Sequence, residues 1–207
     1  SWFEHNLSFM SELADRSLIS VGTLKGIIRL FSALHDAGKF SVTFQNLRSD
    51  LLKRLQGRES RKTDYSVRHD DLGWMLWESQ LQSCVLKCLQ ESGAITSKGE
   101  RHVRELLDVF ARFAFGHHGR PTCEHTRNFD DLFWESDIEA ALKFTGDMLD
   151  LHLSAEARAE LARWSNSPKT ERKAALRYLK QSSWRLAGAM VLADWVASGG
   201  SFPFVED

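Results

Sequence analysis

Proline is scarce in this sequence, with Pro121, Pro168 and Pro203 the only three in 207 residues, and alternating β-branched runs are missing. Without such runs there is nothing to build half-buried strands from, so the expected fold class is all-α. Cysteine is equally sparse. Cys84, Cys88 and Cys123 form no C-x-x-C pair, and Cys84 and Cys88 stand four apart on an expected helix, as buried free thiols do, which fits a reducing cytoplasm. No stretch is apolar for long enough to span a bilayer, and the start carries no basic-then-apolar signal segment, so no membrane partner is expected. There is no G-x-x-x-x-G-K-[ST] loop, which puts ATP hydrolysis elsewhere. Internal repeats and low-complexity tracts are also absent.

What is present is enough apolar material, 43% of the chain, for one well-filled core. That length is short for two cores, so a single domain over 1–207 is expected. The chain starts without Met and stops soon after Asp194, which reads as a piece cut from a longer protein.

Helical spacing organises most of it. Leu24, Ile27, Ile28, Phe31 and Leu34 predict an amphipathic helix over 23–35 that delivers His35 and Asp36 at its C-terminal end, with Gly38 letting the chain turn. Phe44, Leu47, Leu51, Leu52 and Leu55 mark a next helix, followed by a solvated loop from Gly57 to Ser66. His69 opens another, carrying Leu72, Leu76, Cys84, Val85, Cys88 and Leu89. Val103, Leu106, Leu107, Phe110 and Phe113 keep the same period up to Gly116, just before His117-His118. Ser136 or Asp137 is expected to cap a helix through Leu149, and Ser154 and Ser167-Pro168 to start two more. A last helix over roughly 182–198 places Leu186, Met190, Ala193 and Ala197 along one stripe, with Asp194 beside it.

Two doublets do not fit a packing explanation. Adjacent residues cannot both face one core, so His35-Asp36 in H-D-A-G-K and His117-His118 in G-H-H-G need another reason, and imidazole and carboxylate are what transition metals favour. Taken singly, His5 would be a capping or surface histidine, and His69 a solvated helix start with Asp70 and Asp71 near the positive dipole end. In company with the doublets and Asp194, they read as further ligands. His102, His125 and His152 sit outside any motif and read as ordinary histidines. Five imidazoles point away from a pure magnesium site and towards manganese, iron, cobalt or nickel.

The ordered motifs are W-F-E-H at 2–5, H-D-A-G-K followed by F-Q at 44–45, R-H-D-D-L-G at 68–73, G-H-H-G at 116–119 and A-D-W-V-A-S at 193–198. This series resembles the HD nuclease domain that is fused to, or works with, the helicase of type I CRISPR interference systems. The resemblance covers almost the whole chain. It departs from the family's usual pattern at Asp70, where Glu is frequent, and at Ala197, where Gly is frequent; neither replaces a proposed ligand.

The resemblance implies an HD-domain helical bundle and a metal-dependent nuclease that hydrolyses phosphodiester bonds of single-stranded DNA. It also implies two divalent ions. His5, His35, Asp36 and Asp194 would hold one, and His69, His117 and His118 the other, with Asp36 bridging, since a carboxylate has two oxygens while each imidazole offers one lone pair. Two cations offset the charge of the diester and lower the pKa of a water from about 15.7 to roughly 7, so no Ser or Cys nucleophile is required. Asp36 and Lys39 would be the catalytic pair, with Lys39 contacting a non-bridging phosphate oxygen, while Gln45 and Ser198 would orient ligands. The implied partners are a helicase module in the same or a separate chain and an RNA-guided surveillance complex, in the prokaryotic cytoplasm.

Substrate binding needs positive surface, yet the formal net charge is −1. Locally the balance differs. Arg163, Lys169, Arg172, Lys173, Arg177, Lys180 and Arg185 face Glu171 alone and interleave with Trp164, Tyr178 and Trp184, a mixture suited to single-stranded nucleic acid. A second basic cluster, Arg48, Lys53, Arg54, Arg58, Arg61, Lys62 and Arg68, surrounds the loop before His69; for both, a solvated helix surface is the competing explanation. The acidic segment from Glu124 to Asp150 is a candidate docking surface or simply a solvated one.

Three other functions compete with a nuclease. An HD phosphohydrolase acting on nucleotides or cyclic dinucleotides shares H-D-x-G-K, but its cyclic-dinucleotide branch carries G-Y-P after the histidine pair, and here G-R-P follows. A binding module that had lost its chemistry would not keep the complete ligand set. A structural metal site would be closed and four-coordinate.

Overall fold

The computed structural model describes residues 6–60, 67–123 and 128–198, with side chains as far as Val196. Among these residues every regular element is helical and none is a strand, as expected. Helix α1 (Leu7–Ser17) leads into α2 (Val21–Leu34), which starts behind Ser20, whose hydroxyl accepts the Thr23 N–H. That cap satisfies a donor that the helix itself cannot.

Helix α2 is the centre of the molecule. Leu24, Ile27, Ile28, Leu30, Phe31 and Leu34 are all buried, and α2 packs against α1, α7 (Ser97–Phe115), α9 (Glu135–His152) and α10 (Ala155–Asn166). The Phe31 ring meets Trp77 edge-on at 5.2 Å and stacks on Phe110 at 6.2 Å. Such pairs contribute about 0.5–1.5 kcal/mol each beyond their burial.

Beyond Leu34 the chain passes through His35 and Asp36 into a 3₁₀ turn over Ala37–Phe40, then α3 (Val42–Gln45), a second 3₁₀ turn (Asn46–Arg48) and α4 (Ser49–Gln56). The single helix expected across Phe44 to Leu55 is therefore broken into three pieces. Leu47 and Leu55 are exposed and only Leu52 of that stripe is fully buried, so no continuous apolar face holds one straight helix there. Helix α5 (His69–Leu76) continues through a π-helical turn (Trp77–Leu81) into α6 (Gln82–Glu91), with the buried Trp77 indole donating to Asp108 at 3.0 Å. Cys84 and Cys88 on α6 are free thiols but half-buried. Helix α7 is capped by Thr96 and ends at Gly116.

After the short α8 (Phe129–Leu132), α9 begins at Glu135 with Trp134 at its cap position, so neither Ser136 nor Asp137 caps it. Both answer to Arg58 instead: Asp137 is buried and accepts from Nη1 at 2.9 Å, and Ser136 Oγ accepts from Nη2 at 2.7 Å. Ser154 caps α10 as expected. The final helix, α11 (Lys169–Ser198), runs unbroken from just after Pro168 and does not start near 182, because no helix-stopping residue intervenes. It packs on α1 and α7, with Leu186 and Met190 buried and Ala193, expected on the same stripe, exposed. Among the described residues no single helix is long and apolar enough to cross a membrane.

A candidate metal centre

Four helix ends converge at one edge of the core, and each supplies an imidazole or a carboxylate. His35 sits at the C-cap of α2 and Asp36 just past it. His69 is the first residue of α5, His117 and His118 follow the end of α7, and Asp194 lies in the last turns of α11. His5 and the Ser198 side chain fall outside the described residues.

Gly38 brings the first two of these ends together. A side chain there would collide with the His69 carbonyl oxygen and lie 2.6 Å from the Gly73 backbone nitrogen, so the 3₁₀ turn rests directly on the backbone of α5. Its φ is not positive, unlike that of Gly119 at +77°. Close approach, not turn conformation, is thus the role of the glycine in H-D-A-G-K, whereas Gly119 bends the exit of G-H-H-G.

Asp36 stands in the middle of the cluster. Its Oδ2 lies 3.3 Å from His35 Nε2 and its Oδ1 lies 3.4 Å from His69 Nε2 and 3.9 Å from His117 Nε2. His35 Nε2 is 3.8 Å from Asp194 Oδ1, and the Nε2 atoms of His69 and His118 are 3.0 Å apart. The potential ligand atoms of His69, His117 and His118 lie within 4.8 Å of one another, as do those of His35, Asp36 and His117. His117 therefore belongs to both groups, not only to the one with His69 and His118. Lys39 Nζ contacts Asp36 Oδ2 at 2.6 Å, so its first partner is a carboxylate of the site.

The electrostatics suit cation binding. Burial opposes ionisation of Asp36, but hydrogen bonds from His69 and Lys39 and the charges of His35 and Lys39 outweigh it, holding its carboxyl well below the usual carboxylate range. Burial, together with the charges of His35 and His118, pushes the His117 imidazole down to about 4, and burial and His69 lower His118 in the same direction. The site thus presents a neutral His117 imidazole beside an ionised Asp36 carboxylate at neutral pH.

The residues present fit a metal ion on independent grounds. His35 Nδ1 is 2.6 Å from the Ser32 carbonyl and His117 Nδ1 is 2.9 Å from that of Ala114. A carbonyl accepts only, so each Nδ1 carries the proton and each Nε2 offers its lone pair towards the cluster. His35 Nε2 is buried with no hydrogen-bond partner, an orphan that a cation would satisfy.

Asp70 and Asp71, read from sequence as a solvated helix start, are both fully buried. Asp70 accepts from Arg68 Nε at 3.0 Å, and Asp71 accepts from Arg120 Nη2 at 3.1 Å and from the Cys123 backbone N–H at 2.8 Å. Asp71 consequently ties the chain leaving G-H-H-G to the first turn of α5. The signal in the sequence was the arginine flanking each histidine motif, Arg68 before His69 and Arg120 after Gly119.

Gln45 does not reach the ligands: its amide donates to the Phe40 carbonyl at 2.8 Å and its oxygen accepts from Gln56 at 3.0 Å. The basic run is split. Trp164 is core, its indole bonded to the Ser17 carbonyl; Arg172 bonds the Ser167 carbonyl and His102; Arg185 lies over the Phe9 ring at 3.8 Å. Lys169, Lys173, Arg177 and Lys180 remain exposed on one face of α11, and Arg163 is exposed on α10. At about 1.5 Å rise per residue, Lys169 lies about 37 Å from Asp194 along the axis. In the second cluster Arg48, Lys53, Arg58 and Arg68 are ion-paired with Asp50, Glu59, Asp137 and Asp70. Arg61, Lys62 and His125 fall outside the described residues.

The family model described as "Cas3, HD domain" matches residues 1–202. No curated protein and no solved structure matches the chain. With that match running nearly end to end, the chain belongs to the Cas3 HD-domain family and is a Cas3-type HD nuclease domain of CRISPR systems.

Proposed function

We propose that the domain hydrolyses phosphodiester bonds of single-stranded DNA in type I CRISPR interference, with two divalent transition-metal ions held between its imidazoles and carboxylates. His35, Asp36 and Asp194, with His5, would hold one ion; His69, His117 and His118 would hold the other, and Asp36 would serve both. The observation that carries this reading is the orientation of Asp36, with one oxygen towards His35 and the other towards His69 and His117. Only a ligand with two oxygens can serve two cations in this way. The imidazole-rich set favours manganese, iron, cobalt or nickel over magnesium.

When bound, such ions supply positive charge against the diester and lower the pKa of water beside them. The chain's own residues have separate tasks. The Ser32 and Ala114 carbonyls hold His35 and His117 in the tautomer that offers Nε2. Asp36 stays ionised while burial keeps His117 neutral. Lys39, partly exposed beside Asp36, would turn to a non-bridging phosphate oxygen and steady the charge that builds there. A helicase, in the same or a separate chain, and an RNA-guided surveillance complex would deliver the strand in the prokaryotic cytoplasm. The exposed Lys169, Lys173, Arg177 and Lys180 face could carry its distal part.

The test is one assay of the chelator-stripped protein, reloaded with manganese, against single-stranded DNA, deoxynucleoside triphosphates and cyclic dinucleotides. Cleavage of the DNA that is absent in Asp36→Ala is the expected result. Turnover of the nucleotides with intact DNA would replace this reading by a nucleotide phosphohydrolase.

A further inference from the structure

A groove of about 510 Å³ runs beside the histidine doublet, between the end of α7, the G-H-H-G loop and α11. Gly116 and Gly119, which bracket His117 and His118, form one wall, and Trp184 and Gly188 of α11 form the other. Trp184 is 72% exposed, an unusual position for the largest apolar side chain. A Cβ on Gly188 would meet nothing within 4 Å, so the floor beside the indole is open. Trp184, Gly188, Val191 and Trp195 follow one another at i, i+4, i+7 and i+11, a single helix face. Trp195 is also exposed, at 71%, and is the neighbour of Asp194. The aromatic face thus starts in the groove and runs about 16 Å along the helix to the edge of the metal-ligand cluster.

The charge lining the groove selects its occupant. Arg112 and Arg120 contribute to it, and among the described lining residues there is no carboxylate. Flat π-faces next to cations, beside the glycines that bracket His117 and His118, match an unpaired strand: bases stack and phosphates follow the arginines. A protein partner on the apolar stripe would have to set carboxylates opposite both Arg112 and Arg120, whereas a nucleic-acid strand carries an anion at every residue.

We propose that Trp184 is a base-stacking platform for single-stranded nucleic acid, which enters along the groove and passes the G-H-H-G loop on its way to the site. This rests on the hydrolase reading given above and adds the route and the residue that grips the strand. Arg120 serves twice, holding Asp71 through Nη2 and lying 3.8 Å from Asp70 through Nε, while Nη1 would meet a phosphate.

Binding of a fluorescent ten-residue oligothymidylate to the protein in EDTA tests this without any hydrolysis taking part. Trp184→Ala is expected to weaken binding about tenfold, with Trp184→Phe within about threefold of the parent, since a phenyl ring still stacks. Gly188→Leu, which fills the groove without touching the indole's fold, is expected to weaken binding to a similar degree. An abasic strand of the same length should bind parent and Trp184→Ala equally. Unchanged binding in both Trp184→Ala and Gly188→Leu overturns the proposal, as does an equal loss with the abasic strand, or Trp184-dependent self-association in sedimentation. Manganese-dependent cleavage by the parent is measured separately. Trp184-dependent binding without cleavage would remove the hydrolase reading and leave the groove, whereas cleavage with Trp184-independent binding would do the reverse.

Discussion

His35-Asp36 and His69-Asp70 are the same pair of side chains in the same order, and the fold uses them in opposite ways. Both histidines present Nε2 to the Asp36 carboxylate. Asp36 is partly exposed in the midst of three imidazoles, whereas Asp70 is 1% exposed and bound to Arg68. The difference lies in the backbone. His69 and Asp70 are consecutive residues of a regular helix, about 100° apart around its axis, so when one faces the cluster the other must face away. Asp36 has left α2 and sits at φ −97°, ψ 12°, in the sparsely populated bridge region, which turns its side chain to the same side as His35. His35 and Asp36 face the same cluster because α2 ends between them.

The most severe way to break this comparison is to remove each aspartate in turn. Asp36→Ala is expected to cut manganese-dependent DNA cleavage at least about a thousandfold and to lower bound manganese. Asp70→Asn should keep metal and cleavage within about tenfold and lose about 2 kcal/mol of stability in a urea titration, because a buried charged hydrogen bond is weakened. Reversed phenotypes would mean that the two aspartates have been assigned the wrong way round.

Gly38→Ala attacks the contact that brings the two doublets together. The added methyl cannot be accommodated against the His69 carbonyl, so α5 must shift, at a cost of about 1–3 kcal/mol for overpacking. A lowered thermal midpoint together with reduced manganese binding is expected; full metal affinity would show that the approach is not needed for the site. Asp71→Asn is milder. It loosens the segment leaving G-H-H-G, and equilibrium dialysis should find manganese affinity about tenfold weaker, as for other groups that support ligands.

The smallest effect is on pH dependence. With its pKa held near 4, folded His117 stays neutral while the unfolded chain takes up a proton below about 6.5. Stability in EDTA should therefore be flat above pH 7 and fall as pH drops from 6.5 towards 4, with the lowered His118 adding the same sign. Asp36 would add its loss only at still lower pH. Thermal midpoints across pH 7.5 to 4.5 should show a shallower slope for His117→Gln than for the parent; an identical slope would assign the titration elsewhere.

Most of the secondary structure was legible in the sequence. Ser154 capped the helix it was expected to, α2 ended where the doublet began, and Gly116 closed α7, because caps and apolar periodicity act within one or two turns. The break in 44–55 was not legible, since whether Leu47 and Leu55 are covered depends on what lies opposite them. Asp137 looked like a cap until Arg58, far away in sequence, supplied Nη1 to both of its carboxylate oxygens. The basic run of α11 read as one surface, but packing took Trp164 into the core, laid Arg185 on Phe9 and left four cations along one face.

By itself the sequence determined an all-helical chain, the types of ligand it carries and the helix ends at which they appear, because those follow from local hydrogen bonding and side-chain chemistry. Tertiary structure alone decided which aspartate faces the imidazoles, that His117 belongs to both groups, and that Trp184 shares a groove with the glycines bracketing the histidine doublet. Those outcomes depend on backbones meeting across the core, as Gly38 meets His69, and no local propensity encodes the direction in which two distant helices approach.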